Sequence, residues 1–293
     1  MTADTVDEPM AAETVPFSGR NEDGRGFFST RALVQETAIA FVYNGTTEAV
    51  MMATPADLED FAIGFSLNEG LIEGLEELDA LTVQPAEHGI ELRLWLNSAR
   101  TAAYQTRRRH LAGPTGCGLC GIESLSEAMR PLKRVAADTT VSEKEIADAV
   151  ASLAALQRLH QATHAAHAAG YYCPGRGLIA LREDVGRHNA LDKLGGTLKR
   201  DGVDASRGLL VITSRVSVEM VQKTAVIGAP VLVAVSAPTA LAVRTAAAAN
   251  VTLVGVVRGD TYQVFCHGHR ITDGALAQVI DGAHDHDQGS AHR

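Results

Sequence analysis

"GLLVITSRVSVEMVQKTAVIGAPVLVAV", Gly208 to Val235, decides the fold. Its first and last residues are short apolar runs of strand length, and a helix begins near residue 216 between them. The same rhythm continues on both sides. "GLIALR" (177–182) precedes a helix starting near 187, and a helix starting near 239 precedes "TLVGVV" (252–257). Short strands alternating with helices argue for an α/β layer with a largely parallel sheet covered by helices.

Upstream the pattern differs. "TAIAFVYNGTTEAVMMA" (37–53) predicts a hairpin turning at Asn44-Gly45. "TPADLEDFAIGFSLNEG" (54–70) predicts a helix with Thr54 as N-cap, Pro55 as its first residue and Gly70 as its stop. "GIELRLWL" (89–96) alternates apolar and polar residues, as a strand with one wet face does. "SEKEIADAVASLAALQRLH" (142–160) carries a Ser142–Glu145 capping box. The expected organisation is a disordered N-terminus over 1–25, a smaller α+β region over 26–121, an α/β domain over 122–273 and a frayed tail over 274–293. No internal repeat is present.

The chain has 293 residues, 46% of them hydrophobic, which is enough for a substantial core. Its net charge of -9 argues against general nucleic-acid binding, so any anion site must be a local cluster. The acidic start lacks the form of a signal peptide, and no apolar run reaches membrane-spanning length. These features predict a cytoplasmic protein. Four cysteines are too few for a disulfide scaffold.

Two of them, Cys117 and Cys120, lie in "TGCGLCGIESL" (115–125) among three glycines. A zinc site needs three or four protein ligands, and this pair supplies two, with His164 and His167 a weak complement. A zinc deaminase would need a His-x-Glu motif, which is missing. A thioredoxin-like dithiol should follow a strand, whereas this pair follows the basic, glycine-broken loop "RRRHLAGPTG". A sulfur-handling nucleophile fits better. Glycines give mobility, a helix begun by "IESLSEAMRPLKR" lowers the thiol pKa, and Arg107, Arg108, Arg109 and His110 add positive potential.

Polar residues gather where strands pass into helices. Thr213, Ser214, Arg215 and Ser217 follow one strand, and Ser236 and Thr239 follow the next. Each group alone reads as helix capping, but two at equivalent places also suit an anion-binding crevice at the carboxyl ends of the strands. In "REDVGRHN" (182–189), Asp184 is a possible cap, and Arg187 and His188 oppose the dipole of the helix they begin. His164 and His167 read as one exposed and one hydrogen-bonded histidine. Cys173 and Cys266 carry no sign of a catalytic role.

Six stretches in order, "LEDFAIGFSLNEGLI" (58–72), "GCGLCG" (116–121), "REDVGRHNALDKL" (182–194), "TSRVSVEMVQK" (213–223), "VSAPTALAV" (235–243) and "LVGVVRGD" (253–260), resemble the formate dehydrogenase accessory sulfurtransferase family, FdhD. The resemblance covers about residues 30–273. It implies a cytidine-deaminase-like α/β/α fold and a cytoplasmic homodimer. It implies transfer of sulfur from a cysteine desulfurase, as a persulfide, to the metal of a molybdenum or tungsten bis(molybdopterin guanine dinucleotide) cofactor that serves formate dehydrogenase. That cofactor is the sulfur acceptor, and no resident cofactor or metal is implied. By motif, Cys117 bears the persulfide and Cys120 is its partner. Phe265, Cys266, His267, Gly268, His269 and Arg270 form the cofactor-binding segment, and His167 matches a recurrent histidine. Two other readings are a zinc hydrolase and a cofactor chaperone that does not transfer sulfur.

Overall fold

A computed structural model of the chain describes residues 11–111, 133–137 and 139–273. The first element is a two-stranded antiparallel ribbon, β1 (Ala12–Arg20) and β2 (Gly26–Val34). Asn21 closes its turn by accepting the Arg25 amide on Oδ1 at 2.7 Å, and Gly24 has φ 80°. The disorder expected through residue 25 is therefore wrong for 12–25. Nine paired residues and an edge-on Phe17–Phe27 contact order a stretch whose acidic composition suggested otherwise.

β3 (Thr37–Tyr43) and β4 (Thr46–Ala53) form the expected hairpin, with Asn44 and Gly45 both at positive φ, as a two-residue turn requires. α1 (Leu58–Asn68) follows, then β5 (Leu78–Ala86) and β6 (Gly89–Leu96). These strands make a four-stranded sheet in the order β4-β3-β6-β5. β6 alternates as its sequence predicts, with Ile90, Leu92, Leu94 and Leu96 inward against Phe41, Phe61 and Phe65. α1 ends where expected. Gly70 has φ 66°, and the Leu71 amide reaches back to the Ser66 carbonyl at 2.8 Å. Its start is three residues later than expected, because its N-cap is Asp57 and Thr54 is bonded elsewhere. α2 (Ser98–Leu111) is clamped to this region by Arg100, which donates to the Leu71 and Gly70 carbonyls at 2.7 and 2.6 Å.

The second half begins with β7 (Val141–Ser142), α3 (Glu143–Leu156) and α4 (Arg158–Thr163). The Ser142–Glu145 capping box is present. β8 (His167–Cys173) and β9 (Gly177–Asp184) lead into α5 (Arg187–Arg200). β10 (Leu209–Ile212), α6 (Val218–Ile227), β11 (Val231–Ala234), α7 (Ala240–Ala249) and β12 (Thr252–Arg258) complete the alternation. β13 (Thr261–Cys266) and β14 (Ile271–Thr272) are the last elements among the described residues.

The six-stranded sheet runs β13-β12-β11-β10-β8-β9. Only β10, β11 and β12 are mutually parallel; β8, β9 and β13 join antiparallel, so the sheet is mixed. Hairpin connections after β8 and β12 produce this, and a reading based on helix alternation does not register them. Alternate residues face opposite layers. Leu210 and Ile212 pack with α5, α6 and α7, while Leu209 and Val211 pack with Ile146 and Leu153 of α3. The second half is thus three layers, helix, sheet and helix. α1 joins the halves. Phe61 and Phe65 face the N-terminal sheet, and Asp60, Gly64 and Asn68 face α5.

Candidate functional site

Cys117 and Cys120 lie outside the described residues, as do residues 274–293. The basic run Arg107–Arg109 leading to the cysteines belongs to α2 and not to a loop. The first half of α2 is held in place, since Tyr104 donates to Glu48 at 2.6 Å and Asn44 to Thr101 at 2.8 Å.

The loops after β10 and β11 lie side by side. Val216 bridges to Pro238, the Val216 amide donates to the Ala237 carbonyl at 3.3 Å, and the Thr239 amide donates to the Val216 carbonyl at 3.0 Å. The two polar groups read from the sequence therefore share one rim at the carboxyl ends of the parallel strands. Thr239 is spent as a cap, accepting the Ala242 amide at 3.2 Å. Ser217 caps no amide and instead donates to Glu219 at 2.7 Å. That bond is the leading reason the Glu219 carboxyl sits below its usual range. Arg215 is exposed on the rim, and neither it nor Arg187 forms an ion pair among the described residues.

β8 begins where β10 ends, so His167 joins this rim. Its Nδ1 lies 3.4 Å from the Thr213 hydroxyl, which also accepts the Ala168 amide at 3.0 Å. Burial, then the Arg187 guanidinium, lowers the His167 pKa. Burial, Arg187 and Lys223 do the same to His188. Both imidazoles are neutral at neutral pH and available as acceptors or, in the other tautomer, donors. His188 opens onto a cleft of about 240 Å³ beside Met51, Phe65, Glu219 and Lys223. His164 sits apart, exposed at the left-handed C-cap of α4.

Beneath this surface runs a polar network that the sequence reading missed. Asp184 does not cap α5; the N-cap is Gly186. Fully buried, Asp184 accepts from Lys193 at 2.6 Å, the Gly186 amide at 2.7 Å, Asn189 at 3.0 Å and the Thr54 amide at 3.1 Å. Lys193 also donates to the Thr54 carbonyl at 2.8 Å, and the Thr54 hydroxyl accepts the Val185 amide at 3.1 Å. These bonds explain why Thr54 is unavailable as a cap. A second pair, Asp192 and Lys223, meets at 2.5 Å, with Asn68 donating to the same oxygen at 2.6 Å. Burial raises the Asp192 pKa and lowers that of Lys193. The one available signal was "DKLGG" (192–196), where adjacent charges precede a glycine pair inside a helix.

The segment Phe265–Arg270 ends β13 and follows it. β13 is antiparallel to β12, and Cys266 pairs with Leu253, so Cys266–Arg270 lies at the opposite end of the sheet from the rim. Phe265 leans back over Gly255, which also abuts Pro238 and the Ser236 carbonyl. Phe265 is thus the member of the segment nearest the rim. Cys266 donates to the Val251 carbonyl at 3.2 Å, and burial raises its pKa. His267 contacts the Ala247 carbonyl at 3.0 Å. Arg270 is buried and donates to Thr252 and to the Ala137 carbonyl, each at 3.2 Å, so its guanidinium ties the chain to the sheet. His269 is exposed. Among the described residues, no three His, Cys, Asp or Glu side chains cluster as metal ligands. No helix among them is long and apolar enough to cross a membrane.

Residues 34–272 match the family described as FdhD/NarQ. Curated relatives named sulfur carrier protein FdhD include one from Agrobacterium fabrum, 51% identical over 242 residues, covering 82% of this chain and 89% of that protein. One from Brucella abortus is 54% identical over 246 residues, covering 84% and 91%. A crystal structure of a putative formate dehydrogenase accessory protein from Desulfotalea psychrophila superimposes with a TM-score of 0.71 at 24% identity, covering 90% of this chain and all of that one.

Proposed function

The chain belongs to the FdhD/NarQ family, and from that premise we propose that it is a sulfur carrier for formate dehydrogenase. Cys117 takes sulfur from a cysteine desulfurase as a persulfide. It passes that sulfur to the molybdenum or tungsten of a bis(molybdopterin guanine dinucleotide) cofactor, which is cargo and not a resident group. The observation that carries this reading is the glycine-flanked Cys117-x-x-Cys120 pair in a chain about half identical to proteins named as sulfur carriers.

The chemistry balances with the two cysteines, the desulfurase persulfide and a dithiol reductant. In loading, the Cys117 thiolate attacks the outer sulfur of the desulfurase persulfide. The donor S–S bond breaks, the desulfurase cysteine leaves as thiolate, and Cys117 becomes the persulfide. In unloading, the Cys120 thiolate attacks the inner sulfur. A Cys117–Cys120 disulfide forms, and the outer sulfur leaves with the electron pair as sulfide for the metal. A dithiol reductant then restores both thiols.

The cofactor carries phosphates, for which the rim offers Arg187, Arg215 and the free amides that begin α5 and α6. Phe265, His267, Gly268 and His269 are the second place of contact, with Phe265 between the two. Cys266 and Arg270 support that segment from within. We assign the working form to a cytoplasmic homodimer whose α/β/α layers are of the cytidine-deaminase kind.

Complementation tests the reading. In cells lacking the protein, a Cys117→Ala variant is expected to leave formate dehydrogenase inactive although the variant accumulates normally. Full activity with Cys117→Ala would point to a cofactor chaperone that transfers no sulfur.

A further inference from the structure

Asn44-Gly45 is the single Asn-Gly pair in the chain, and both residues are exposed. Asparagine is chemically labile, and most so before glycine, which puts no side chain in the way of its own amide nitrogen. The space at Gly45 is open as well, since a Cβ built there would meet nothing within 4 Å. Yet the Asn44 side chain is held at both ends. Its Nδ2 donates to the Thr101 hydroxyl of α2 at 2.8 Å, and its Oδ1 accepts the Leu96 amide at 2.9 Å. The Thr101 hydroxyl in turn donates to the Leu96 carbonyl at 3.0 Å. The hairpin turn, the end of β6 and the first turn of α2 thus close one ring of hydrogen bonds around this amide.

We propose that Asn44 is a deamidation site guarded by the docking of α2, and that deamidation in turn unlatches that helix. In the reaction the Gly45 nitrogen attacks Asn44 Cγ. The bond from Cγ to Nδ2 breaks, and Nδ2 leaves as ammonia with the Gly45 amide proton. A cyclic imide then joins the two residues. Water opens it at either carbonyl, giving aspartate or isoaspartate, so the sum is amide and water to acid and ammonia. No oxidant or cofactor takes part. Cγ reaches the Gly45 nitrogen only when the side chain turns away from Thr101 and Leu96, so the attack proceeds from molecules in which α2 has let go of the turn.

Either product weakens the latch. Aspartate replaces the Nδ2 donor with an oxygen that faces the Thr101 oxygen, whose own proton is committed to Leu96. Isoaspartate adds a methylene to the main chain of a two-residue turn that pairs Tyr43 with Thr46, and turn length sets the register of a hairpin. α2 retains its Arg100 and Tyr104 bonds but loses its tie to the turn. The helix ends at Leu111, six residues before Cys117, so the change falls on the element that leads into the cysteine pair.

Timed incubation of the full chain in mildly alkaline buffer, read by peptide mapping that separates asparagine, aspartate and isoaspartate, tests this. Asn44 of the wild type is expected to convert slowly. Thr101→Val, which removes the acceptor of Nδ2, is expected to speed conversion about fivefold, the factor for one lost hydrogen bond. Thr101→Ser keeps the hydroxyl and is expected to match the wild type. The deamidated fraction is separable by its added negative charge. In it, α2 amides are expected to exchange hydrogen faster while those of β10 and β11 stay unchanged. Equal rates in wild type and Thr101→Val, nil included, overturn the guard. So does acceleration that comes with faster exchange in β10 and β11, which marks general unfolding. Unchanged exchange in α2 after deamidation overturns the unlatching. Slower sulfur loading of Cys117 in the deamidated fraction is also expected and, alone among these results, rests on the sulfur-carrier reading. No loading of either fraction would count against that reading and leave the exchange results to judge this one.

Discussion

Lys193 lies in a helix, follows Asp192 and would pass in sequence for a solvated residue, yet it is fully buried against Asp184. Desolvation lowers its pKa while Asp184 opposes that shift. Such a pair is sensitive to losing one member, because the other is left as an uncompensated buried charge. Lys193→Met is expected to destabilise the protein by about 3–5 kcal/mol in denaturant unfolding. Adding Asp184→Asn, which removes the stranded charge and keeps an acceptor, is expected to recover part of the loss. If Lys193→Met matches the wild type, Asp184 tolerates burial without its ion partner and the account of this pair is wrong. The same network accounts for two misread residues. Thr54 and Asp184 each have the composition of a helix cap, and local sequence gives no view of a partner some 130 positions away. Val256 is another residue the sequence leaves silent. It holds φ 56° at a bulge in β12, an unfavourable conformation for a β-branched side chain. Its amide donates to the Ser236 carbonyl at 3.2 Å, so this strained position abuts the candidate rim.

Among the elements, the contact of α1 with α5 matters most. Gly64 faces the Asp192 carbonyl and Gly196 faces the Asp60 carbonyl so closely that a Cβ at either would overlap backbone atoms. This closeness lets Thr197 donate to Asp60 at 2.6 Å and Asn68 to Asp192 at 2.6 Å. Gly196→Ala would raise local helix propensity yet force the helices apart. Its expected effect is a loss of about 2–3 kcal/mol, read as a lower midpoint in urea, whereas a gain in stability would mean that the helices are free to separate. Elements with local signatures were legible in the sequence: the Asn44-Gly45 hairpin, the Gly70 stop, the capping box of α3 and the strand–helix rhythm from 208 to 257. The antiparallel membership of β8, β9 and β13 was not, because strand direction depends on pairing that periodicity does not encode. The ribbon was missed because its composition resembles a solvated tail.

At the scale of the molecule, the two larger sheets meet through the packed pair of helices α1 and α5, and polar groups collect where β8, β10, β11 and α5 converge. The sequence located this rim through its Ser, Thr and Arg residues, and the structure adds His167 and His188 with lowered pKa values. It also separates Cys266–Arg270 from the rim and leaves Phe265 between them. Chemistry at Cys117 is the claim on which the account stands. Its most direct test is to incubate the purified chain with a cysteine desulfurase and L-cysteine, then measure intact mass and map the modified peptide. The account predicts one added sulfur atom, removable by reductant, on the peptide carrying Cys117 and absent in Cys117→Ala. An unmodified chain beside an active desulfurase, or sulfur that persists in Cys117→Ala, would contradict it.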